Sequence, residues 1–194
     1  MINFCNIKFI KSVFNVKDAP KDKKKKIVFV GKSNVGKSSL INALCNNNKI
    51  AKVSSKPGKT ISLNYFLIDE KIYFIDSPGY GYCSNNNSFS LLMDSFFEKI
   101  GKFIKVIFVL DSRRSLSVND KVFYNNFLLK KNIPFFIVLS KKDKIANKQK
   151  NFIINEIKHN FPIVKEKEIL FSDIKNKNDI NNIKKQIIFF NCGI

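Results

Sequence analysis

The sequence contains no tryptophan, a single histidine and only four cysteines among its 194 residues. The cysteines, Cys5, Cys45, Cys83 and Cys192, form no C-x-x-C pair or other metal-binding spacing, and we expect free thiols in a reducing compartment. No apolar run approaches the roughly 20 residues that a transmembrane helix needs. The first residues also lack the design of a signal peptide or transit peptide. The sequence therefore predicts a cytoplasmic protein that does not enter a membrane.

Acidic residues are scarce, since 15 Asp and Glu stand against 35 Lys and Arg, a formal net charge of +20. Such a charge favours nucleic acid or an anionic surface without selecting a sequence or a lipid. Lysine, asparagine, isoleucine and phenylalanine are plentiful while glycine and arginine are sparse, which is typical of A+T-rich codon usage. Mutational bias therefore also explains part of the lysine excess, and charge alone does not predict RNA binding.

The most informative motif is the stretch 31–39, GKSNVGKSS, which fits the phosphate-binding pattern G-x-x-x-x-G-K-[ST]. It follows an apolar run at 27–30 that is typical of a buried parallel strand, and it precedes a helix-forming run. In that setting the loop amides and the helix N-terminus face a phosphate. Lys37 is then expected to bridge the β- and γ-phosphates, and Ser38 to offer its hydroxyl to Mg²⁺. The predicted ligand is a nucleoside triphosphate.

A second motif, D-x-x-G, runs from Asp76 to Gly79 and closes the apolar run 72–75. It is therefore expected at the carboxyl end of another buried strand, where open α/β sheets bind ligands. We expect Asp76 to hold Mg²⁺ through a water molecule and the Gly79 amide to meet the γ-phosphate. Thr60, in the polar stretch after the first helix, is the candidate switch threonine that completes the Mg²⁺ shell. The competing interpretation of its PGKT segment is a proline-glycine turn with a chance threonine.

The run 140–143, SKKD, ends a third apolar strand and resembles the [NT]-K-x-D motif with which GTPases read guanine. Asp143 can accept hydrogen bonds from the ring N–H and the exocyclic amine of guanine. Adenine lacks that donor pair and would leave the carboxylate unpaired, which disfavours the alternative of an ATP-using enzyme. The aliphatic stem of Lys141 is expected to cover the base. Ser140 replaces an asparagine, so we expect the loss of an amide that ties this loop to the phosphate-binding loop.

Together these motifs resemble the EngB (YihA/YsxC) family of ribosome-associated GTPases, within the TrmE–Era–EngA–EngB–septin-like group. The match spans roughly residues 9–190 and is carried by the segments GKSNVGKSSLIN, SKPGKT, DSPGYGY, LDSR and IPFFIVLSKKD. The resemblance implies a GTP/GDP switch needed late in assembly of the large ribosomal subunit, with ribosomal RNA as its partner. It also implies a link to normal cell division and septation, and a loop at 171–173 whose backbone amides meet the guanine carbonyl.

The residues expected to form the site fall into three groups. The GTP-binding group is Gly31, Lys32, Ser33, Asn34, Val35, Gly36, Lys37, Ser38, Ser39, Pro57, Gly58, Lys59, Thr60, Asp76, Ser77, Pro78, Gly79, Ser140, Lys141, Lys142, Asp143, Phe171, Ser172 and Asp173. The metal ligands are Ser38, Thr60 and Asp76, and the catalytic group is Asn34, Lys37, Thr60 and Gly79. Asp173 stands where the family usually has serine. We expect its carboxylate to face solvent, with only its N–H used.

Many GTPases orient the attacking water with a glutamine directly after D-x-x-G, but this chain has Tyr80 there. Intrinsic hydrolysis is therefore predicted to be slow. Two kinds of help stay open: a partner such as the ribosome that supplies a group in trans, or a K⁺ ion at Asn34, where potassium-activated relatives carry a metal-binding asparagine. Arg113 resembles an internal arginine finger, but we predict that it pairs with Asp111 or Asp120.

Strand-like apolar runs alternate with helix-forming segments at 37–46, 89–100, 118–131, 147–161 and 179–190, the pattern of βαβ units. The predicted fold is a three-layer α/β, Ras-like P-loop GTPase fold. Its mostly parallel six-stranded sheet has one antiparallel edge strand, with 63–69 paired to 71–75, and helices on both faces. Residues 1–26 are expected to be an N-terminal extension that packs on or flanks the domain, and 27–194 a single GTPase domain. We expect a monomer.

Two functions of different classes are compatible with these features. The first is a GTP-binding and GTP-hydrolysing switch that acts on the large ribosomal subunit or its precursor, with Mg²⁺ as cofactor. The second is a basic RNA-binding module that uses GTP as a structural ligand and whose hydrolysis is vestigial. Stimulation of hydrolysis by ribosomes separates the two.

Overall fold

The described part of the chain is built on one sheet of seven strands. The computed structural model describes residues 2–51, 62–81, 86–100 and 104–192. The strands are β1 (Ile7–Val13), β2 (Lys25–Val30), β3 (Leu63–Ile68), β4 (Ile72–Asp76), β5 (Ile104–Asp111), β6 (Phe135–Ser140) and β7 (Ile169–Ser172). Their order across the sheet is β1-β3-β4-β2-β5-β6-β7.

The helices alternate with the strands as the sequence predicts. They are α1 (Lys37–Leu44), α2 (Asn86–Ile100), α3 (Val118–Phe123), α4 (Gln149–Asn160) and α5 (Lys177–Cys192). The helix-forming segment predicted at 118–131 is helical over most of its length, but after Phe123 the chain widens into π-type turns over Tyr124–Leu129. Tyr124 and Phe127, both in this wider turn, are buried. None of the described helices is long and apolar enough to cross a membrane.

The sheet separates two hydrophobic cores, because successive side chains on a strand point to opposite faces. Val28 and Val30 of β2 pack with residues of α2, α3 and α4, whereas Ile27 and Phe29 pack with residues of α1 and α5. All four β2 side chains are fully buried. The predicted three-layer, Ras-like α/β fold is thereby confirmed, and the continuous apolar runs of the inner strands are explained by burial on both faces.

The parallel strands end at the same edge of the sheet. In the β5–β6 pair Asp111 lies opposite Ser140, and in the β6–β7 pair Ser140 lies opposite Ser172. On the other side, β2 runs parallel to β4, with Phe29 opposite Asp76. The loops that follow β2, β4, β5, β6 and β7 therefore open on one edge, where a ligand can touch several of them.

The number of strands is a correction to the six predicted from the sequence. Part of the 1–26 extension forms β1, which pairs antiparallel with β3 and occupies the edge of the sheet. The predicted antiparallel hairpin is confirmed as β3 and β4, joined through Asp69 and Glu70, both at positive φ. The sequence pattern of β1 is weak because the strand is half exposed and carries a register shift between Phe9 and Lys11.

Two of the cysteines can be described. Cys5 is an exposed free thiol and Cys45 a buried one. Burial raises the pKa of Cys45 to about 12, so this thiol stays protonated at neutral pH. Cys83 lies outside the described residues. These two cysteines agree with the expectation of free thiols.

A cluster of aromatic rings centred on Phe123 generates a stability prediction. Phe123 is 2% exposed, and its ring centroid lies 5.0–6.5 Å from those of Tyr80, Phe89, Phe97, Phe108 and Phe127. We expect Phe123→Ala to lower the free energy of unfolding by about 3–5 kcal/mol, since it leaves a cavity among these rings. Phe152→Ala is the matched control, because Phe152 is 70% exposed. Equal losses in urea denaturation of the two variants would contradict this assignment of the core.

Candidate nucleotide-binding site

The loop between β2 and α1 is a concave backbone turn closed by a glycine. Gly36 precedes the first residue of α1 and has a φ of +111°, a conformation that side-chain-bearing residues rarely adopt. Asn34 also has positive φ, +61°, and is exposed. Because α1 starts directly at Lys37, the free amides of its first turn and the positive end of its dipole face the loop. This is the arrangement that binds a phosphate.

Lys37 is almost fully buried inside this loop. Its Nζ donates to the carbonyl oxygens of Gly31 at 3.0 Å and Lys32 at 3.2 Å. Burial lowers the pKa of the Lys37 ammonium, and the nearby Asp76 carboxylate opposes part of that effect. A buried ammonium held by two carbonyls is poised to exchange them for phosphate oxygens.

Asp76 and Ser38 form a pair of oxygen ligands at the end of β4. The Ser38 hydroxyl donates to Asp76 Oδ2 at 2.5 Å, while Asp76 Oδ1 is buried and has no hydrogen-bond partner among the described residues. Burial raises the pKa of Asp76, although Lys37 and Ser38 act in the opposite direction. An unpartnered buried carboxylate oxygen is costly unless a ligand completes it. Hard oxygen donors in this arrangement fit Mg²⁺.

The D-x-x-G turn lies directly on the phosphate-binding loop. A Cβ at Gly79 would stand 2.5 Å from both the N and the Cα of Ser33, so only glycine fits there. The Ser33 N–H donates to the Tyr80 carbonyl at 3.2 Å. The Ser77 hydroxyl donates to the Phe29 carbonyl at 2.8 Å, so the residue after β4 is bonded to β2. The Gly79 backbone is thus next to the phosphate-binding loop, as its sequence position predicts.

Tyr80 turns its side chain away from this loop and into the core. Its hydroxyl donates to Asp120 Oδ1 at 2.6 Å, and its ring stacks on Phe123 with centroids 5.6 Å apart. Burial, and then the Asp120 carboxylate, raise the pKa of Tyr80 well above its usual value. Asp120 is therefore committed to Tyr80 and to Ser117, and Arg113 pairs with Asp111 instead. Of the two predicted partners of Arg113, the structure selects Asp111.

The base-reading loop at 140–143 is tied to the phosphate-binding loop. The Ser140 hydroxyl lies 2.7 Å from the Val35 carbonyl and 3.1 Å from that of Leu110, and its single proton serves the shorter contact. The expected amide is absent here, and the Ser140 hydroxyl at a buried strand end makes the contact with the phosphate-binding loop. Lys141 adds a second tie, since its Nζ donates to the Asn34 carbonyl at 3.1 Å and to Asp111 Oδ2 at 2.8 Å.

Asp111 therefore joins two basic side chains at the end of β5. Burial alone would raise the pKa of Asp111, but the hydrogen bonds from Arg113 and Lys141 outweigh it and lower that pKa below its usual value. The carboxylate stays ionised and keeps Lys141 in place. Asp143, by contrast, is exposed, and its one ion pair in the described residues is with Lys144 at 3.3 Å. Its carboxylate is accessible to a base.

The loop at 171–173 contains a contact that sequence analysis missed. The Asp173 N–H, expected to meet the guanine carbonyl, donates to Asp179 Oδ2 at 2.9 Å. The Asp173 carboxylate accepts from the Lys175 N–H at 2.9 Å, and Ser172 is fully buried. Phe171 lies half-buried under the Lys150 ammonium, 5.7 Å from its ring centroid. No motif marks Asp179, which lies in the first turn of α5.

The described residues of the site thus gather the motifs predicted from sequence, except one. The phosphate-binding loop, the D-x-x-G turn and the two base-side loops all lie along one sheet edge. Thr60, the candidate switch threonine, falls outside the described residues together with Pro57, Gly58 and Lys59. Their expected roles stay predictions.

A phosphate-binding loop and a carboxylate suited to guanine, in neighbouring loops along one Ras-like sheet edge, define the chain as a P-loop GTPase. The family model of 50S ribosome-binding GTPases matches residues 26–141. The chain is 37% identical to the "Probable GTP-binding protein EngB" of Thermoanaerobacter pseudethanolicus, over 87% of this chain and 90% of that protein. It is 36% identical to the protein of the same name from Petrotoga mobilis, over 92% of each.

The solved structures agree with these relatives. The crystal structure of a probable GTP-binding protein EngB superposes with a TM-score of 0.66 at 27% identity, over 85% of this chain and 97% of that one. The chain therefore belongs to the EngB family of GTP-binding proteins.

The Ser140 tie yields a prediction for nucleotide affinity. Ser140→Ala leaves the buried Val35 carbonyl without its donor and frees the base-reading loop, so we expect roughly a tenfold loss of GDP affinity. Ser140→Thr keeps the hydroxyl and should restore binding. Isothermal titration calorimetry with GDP and Mg²⁺ measures both variants.

Ser112→Ala is the matched control, because Ser112 Oγ is buried without a partner in the described residues and Ser112 directly follows Asp111, which lies opposite Ser140. Its removal should leave GDP affinity unchanged. A loss in Ser112→Ala as large as that in Ser140→Ala would contradict a specific tie.

Proposed function

We propose that this chain is a cytoplasmic, monomeric GTP-hydrolysing switch that acts on the large ribosomal subunit or its precursor during assembly. The proposal rests on the hydrogen bonds that connect the base-reading loop to the phosphate-binding loop. Ser140 and Lys141 bind the phosphate-binding loop through Val35 and Asn34, while Asp143 stays accessible to a base. Phosphates and guanine can therefore be bound by one rigid unit. The link to cell division and septation then follows from ribosome supply.

Phosphate binding falls to the first turn of α1 and to Lys37. The free amides at the start of α1 would surround the phosphates, and Lys37 would leave the Gly31 and Lys32 carbonyls to bridge the β- and γ-phosphates. Ser38 and Asp76, together with Thr60, would hold Mg²⁺, with Asp76 acting through a water molecule. The bound ion would neutralise charge on the β- and γ-phosphate oxygens.

Guanine selection falls to Asp143. Its exposed carboxylate would accept from the ring N–H and the exocyclic amine, and the stem of Lys141 would cover the base. Lys141 is well suited to this, because its backbone has a φ of +60° and its ammonium is anchored on Asn34 and Asp111. A base without that donor pair would leave the carboxylate desolvated and unpaired.

Hydrolysis without help is expected to be slow. Tyr80 occupies the position of the water-orienting glutamine, but its hydroxyl is committed to Asp120 and its ring is 6% exposed. A stabilising charge therefore has to come from elsewhere, either in trans from the ribosome or from a cation beside the phosphates.

Asn34 is where such a cation is proposed to bind. It is exposed in the phosphate-binding loop, with its carbonyl held by Lys141. If K⁺ binds there, GTP turnover should be at least about tenfold faster in potassium than in sodium buffer, because the ion supplies the charge of an arginine finger. Asn34→Ala should remove the difference, and Asn155→Ala, an exposed asparagine of α4, should keep it. A difference that survives Asn34→Ala would exclude this K⁺ site and leave help in trans.

Ribosome binding is supported by two findings. The matching family model describes 50S ribosome-binding GTPases, and the chain carries a formal net charge of +20. A basic protein is attracted to ribosomal RNA in any nucleotide state, with an affinity that falls steeply with salt. Dependence on nucleotide is therefore the property that distinguishes a switch from a basic RNA-binding module.

Co-sedimentation with purified ribosomal subunits at rising salt tests the proposal. The wild-type chain should pellet with the large subunit in a non-hydrolysable GTP analogue and much less in GDP. In the Asp143→Asn variant, the corresponding xanthosine analogue should replace the GTP analogue as the nucleotide that promotes binding to the large subunit. The preference for guanine over xanthine nucleotides should change by on the order of 100-fold. Asp94→Asn, in an ion pair between α2 and Lys131 away from the site, should behave like the wild type.

The outcomes separate the two functions. Binding to ribosomal subunits that is the same in GDP and in the GTP analogue, and that disappears at modest salt, would support a basic RNA-binding module instead. Nucleotide-dependent binding that Asp143→Asn does not redirect would show that Asp143 does not read the base.

A further inference from the structure

We propose that Asp179 is a positioning residue for guanine recognition, which ties together the two loops that face the base. This inference rests on the proposed guanine site and adds a residue to it. Asp179 lies in the first turn of α5, outside the segments that carry the sequence motifs. It is 8% exposed, which is unusual for a carboxylate unless several groups bind it.

Asp179 accepts hydrogen bonds from both loops. The Lys142 ammonium lies 2.6 Å from Oδ1 and 2.9 Å from Oδ2, and the Asp173 N–H lies 2.9 Å from Oδ2. Lys142 directly precedes Asp143 in the base-reading loop, and Asp173 directly follows β7. One buried carboxylate therefore holds the side chain of one loop and the backbone of the other.

Three consecutive residues of the base-reading loop are thus anchored on three different parts of the fold. Ser140 is bound to the phosphate-binding loop, Lys141 to Asp111 at the end of β5, and Lys142 to Asp179 of α5. The next residue, Asp143, is exposed. The three preceding residues are held by other parts of the fold, and Asp143 is the residue of this loop whose carboxylate is accessible to a ligand. Its position is therefore fixed by the contacts of its neighbours.

The charge of Asp179 matters as well as its shape. Without it, the Lys142 ammonium would stand unpaired next to the Asp143 carboxylate and could pair with it in place of guanine. The negative charge also suits the first turn of α5, where the helix dipole favours an anion. If Asp179 only stabilised the start of α5, its interaction with the helix dipole would be sufficient and its loss would not affect base selection. A positioning role predicts that base selection changes.

The test compares GDP with IDP, which lacks the exocyclic amine that Asp143 would read. In wild type, GDP should bind more tightly than IDP. Asp179→Ala removes both ties and should weaken GDP binding by about tenfold or more. IDP binding should weaken less, because IDP keeps the ring N–H and the carbonyl but has no exocyclic amine for Asp143 to select, so that the ratio of the two affinities shrinks. Asp179→Asn keeps an acceptor for the Asp173 N–H and should show a smaller effect. Calorimetry gives the affinities, and thermal unfolding gives the stability of each variant.

Lys142→Met isolates the ion pair and remains informative if Asp179→Ala does not fold. It should reduce the GDP-to-IDP ratio about as much as Asp179→Asn, and the double variant should add little further loss, because the two residues act as one unit. Asp94→Asn breaks the ion pair with Lys131, 3.1 Å long and remote from the base, and should leave the ratio unchanged.

The possible failures are distinguishable. Wild-type chain that binds ADP as tightly as GDP would overturn the proposed guanine site itself. Wild-type preference for GDP, with an unchanged GDP-to-IDP ratio and a lower melting temperature in the Asp179 and Lys142 variants, would show that Asp179 only stabilises the start of α5.

Discussion

The register of the parallel strands is the constraint on which every part of the site depends. Because Asp111, Ser140 and Ser172 lie opposite one another across β5, β6 and β7, the loops after these strands begin at one level. The inner strands are buried on both faces, and a slip of one residue would exchange the side chains of the two cores. Hydrophobic packing therefore fixes the positions of polar loops that are far apart in the chain.

The buried charged groups at this edge do not favour folding, and ligand binding explains their presence better than stability does. Burial shifts the pKa of Lys37 down and that of Asp76 up, so that both charged forms are disfavoured in the native state. Buried ions of this kind contribute little to stability and cluster where proteins bind charged ligands. A nucleotide with its metal ion would supply the phosphate and cation partners that these two groups lack in the protein alone.

The site is also joined to the core in a way that bears on switching. Tyr80 directly follows the D-x-x-G segment in the sequence and packs in the aromatic cluster around Phe123. Its carbonyl accepts from Ser33 in the phosphate-binding loop, while its hydroxyl donates to Asp120 of α3. If Gly79 shifted on contact with a γ-phosphate, as proposed, the packing of α3 would change as well, since the core has few voids to absorb the movement.

The sequence alone determined the elements whose signals are local: the phosphate-binding loop with Gly36 and Lys37, the turn that presents Asp76, and the alternation of apolar strands with helices. The tertiary structure decided which distant side chains meet. Ser140 binds Val35 across 105 positions, Tyr80 binds Asp120 across 40, and Asp179 joins Lys142 to Asp173. Such hydrogen bonds produce no recognisable pattern in the sequence, because they depend on how strands and helices pack. For the same reason the half-exposed β1 was recognised only from its pairing with β3.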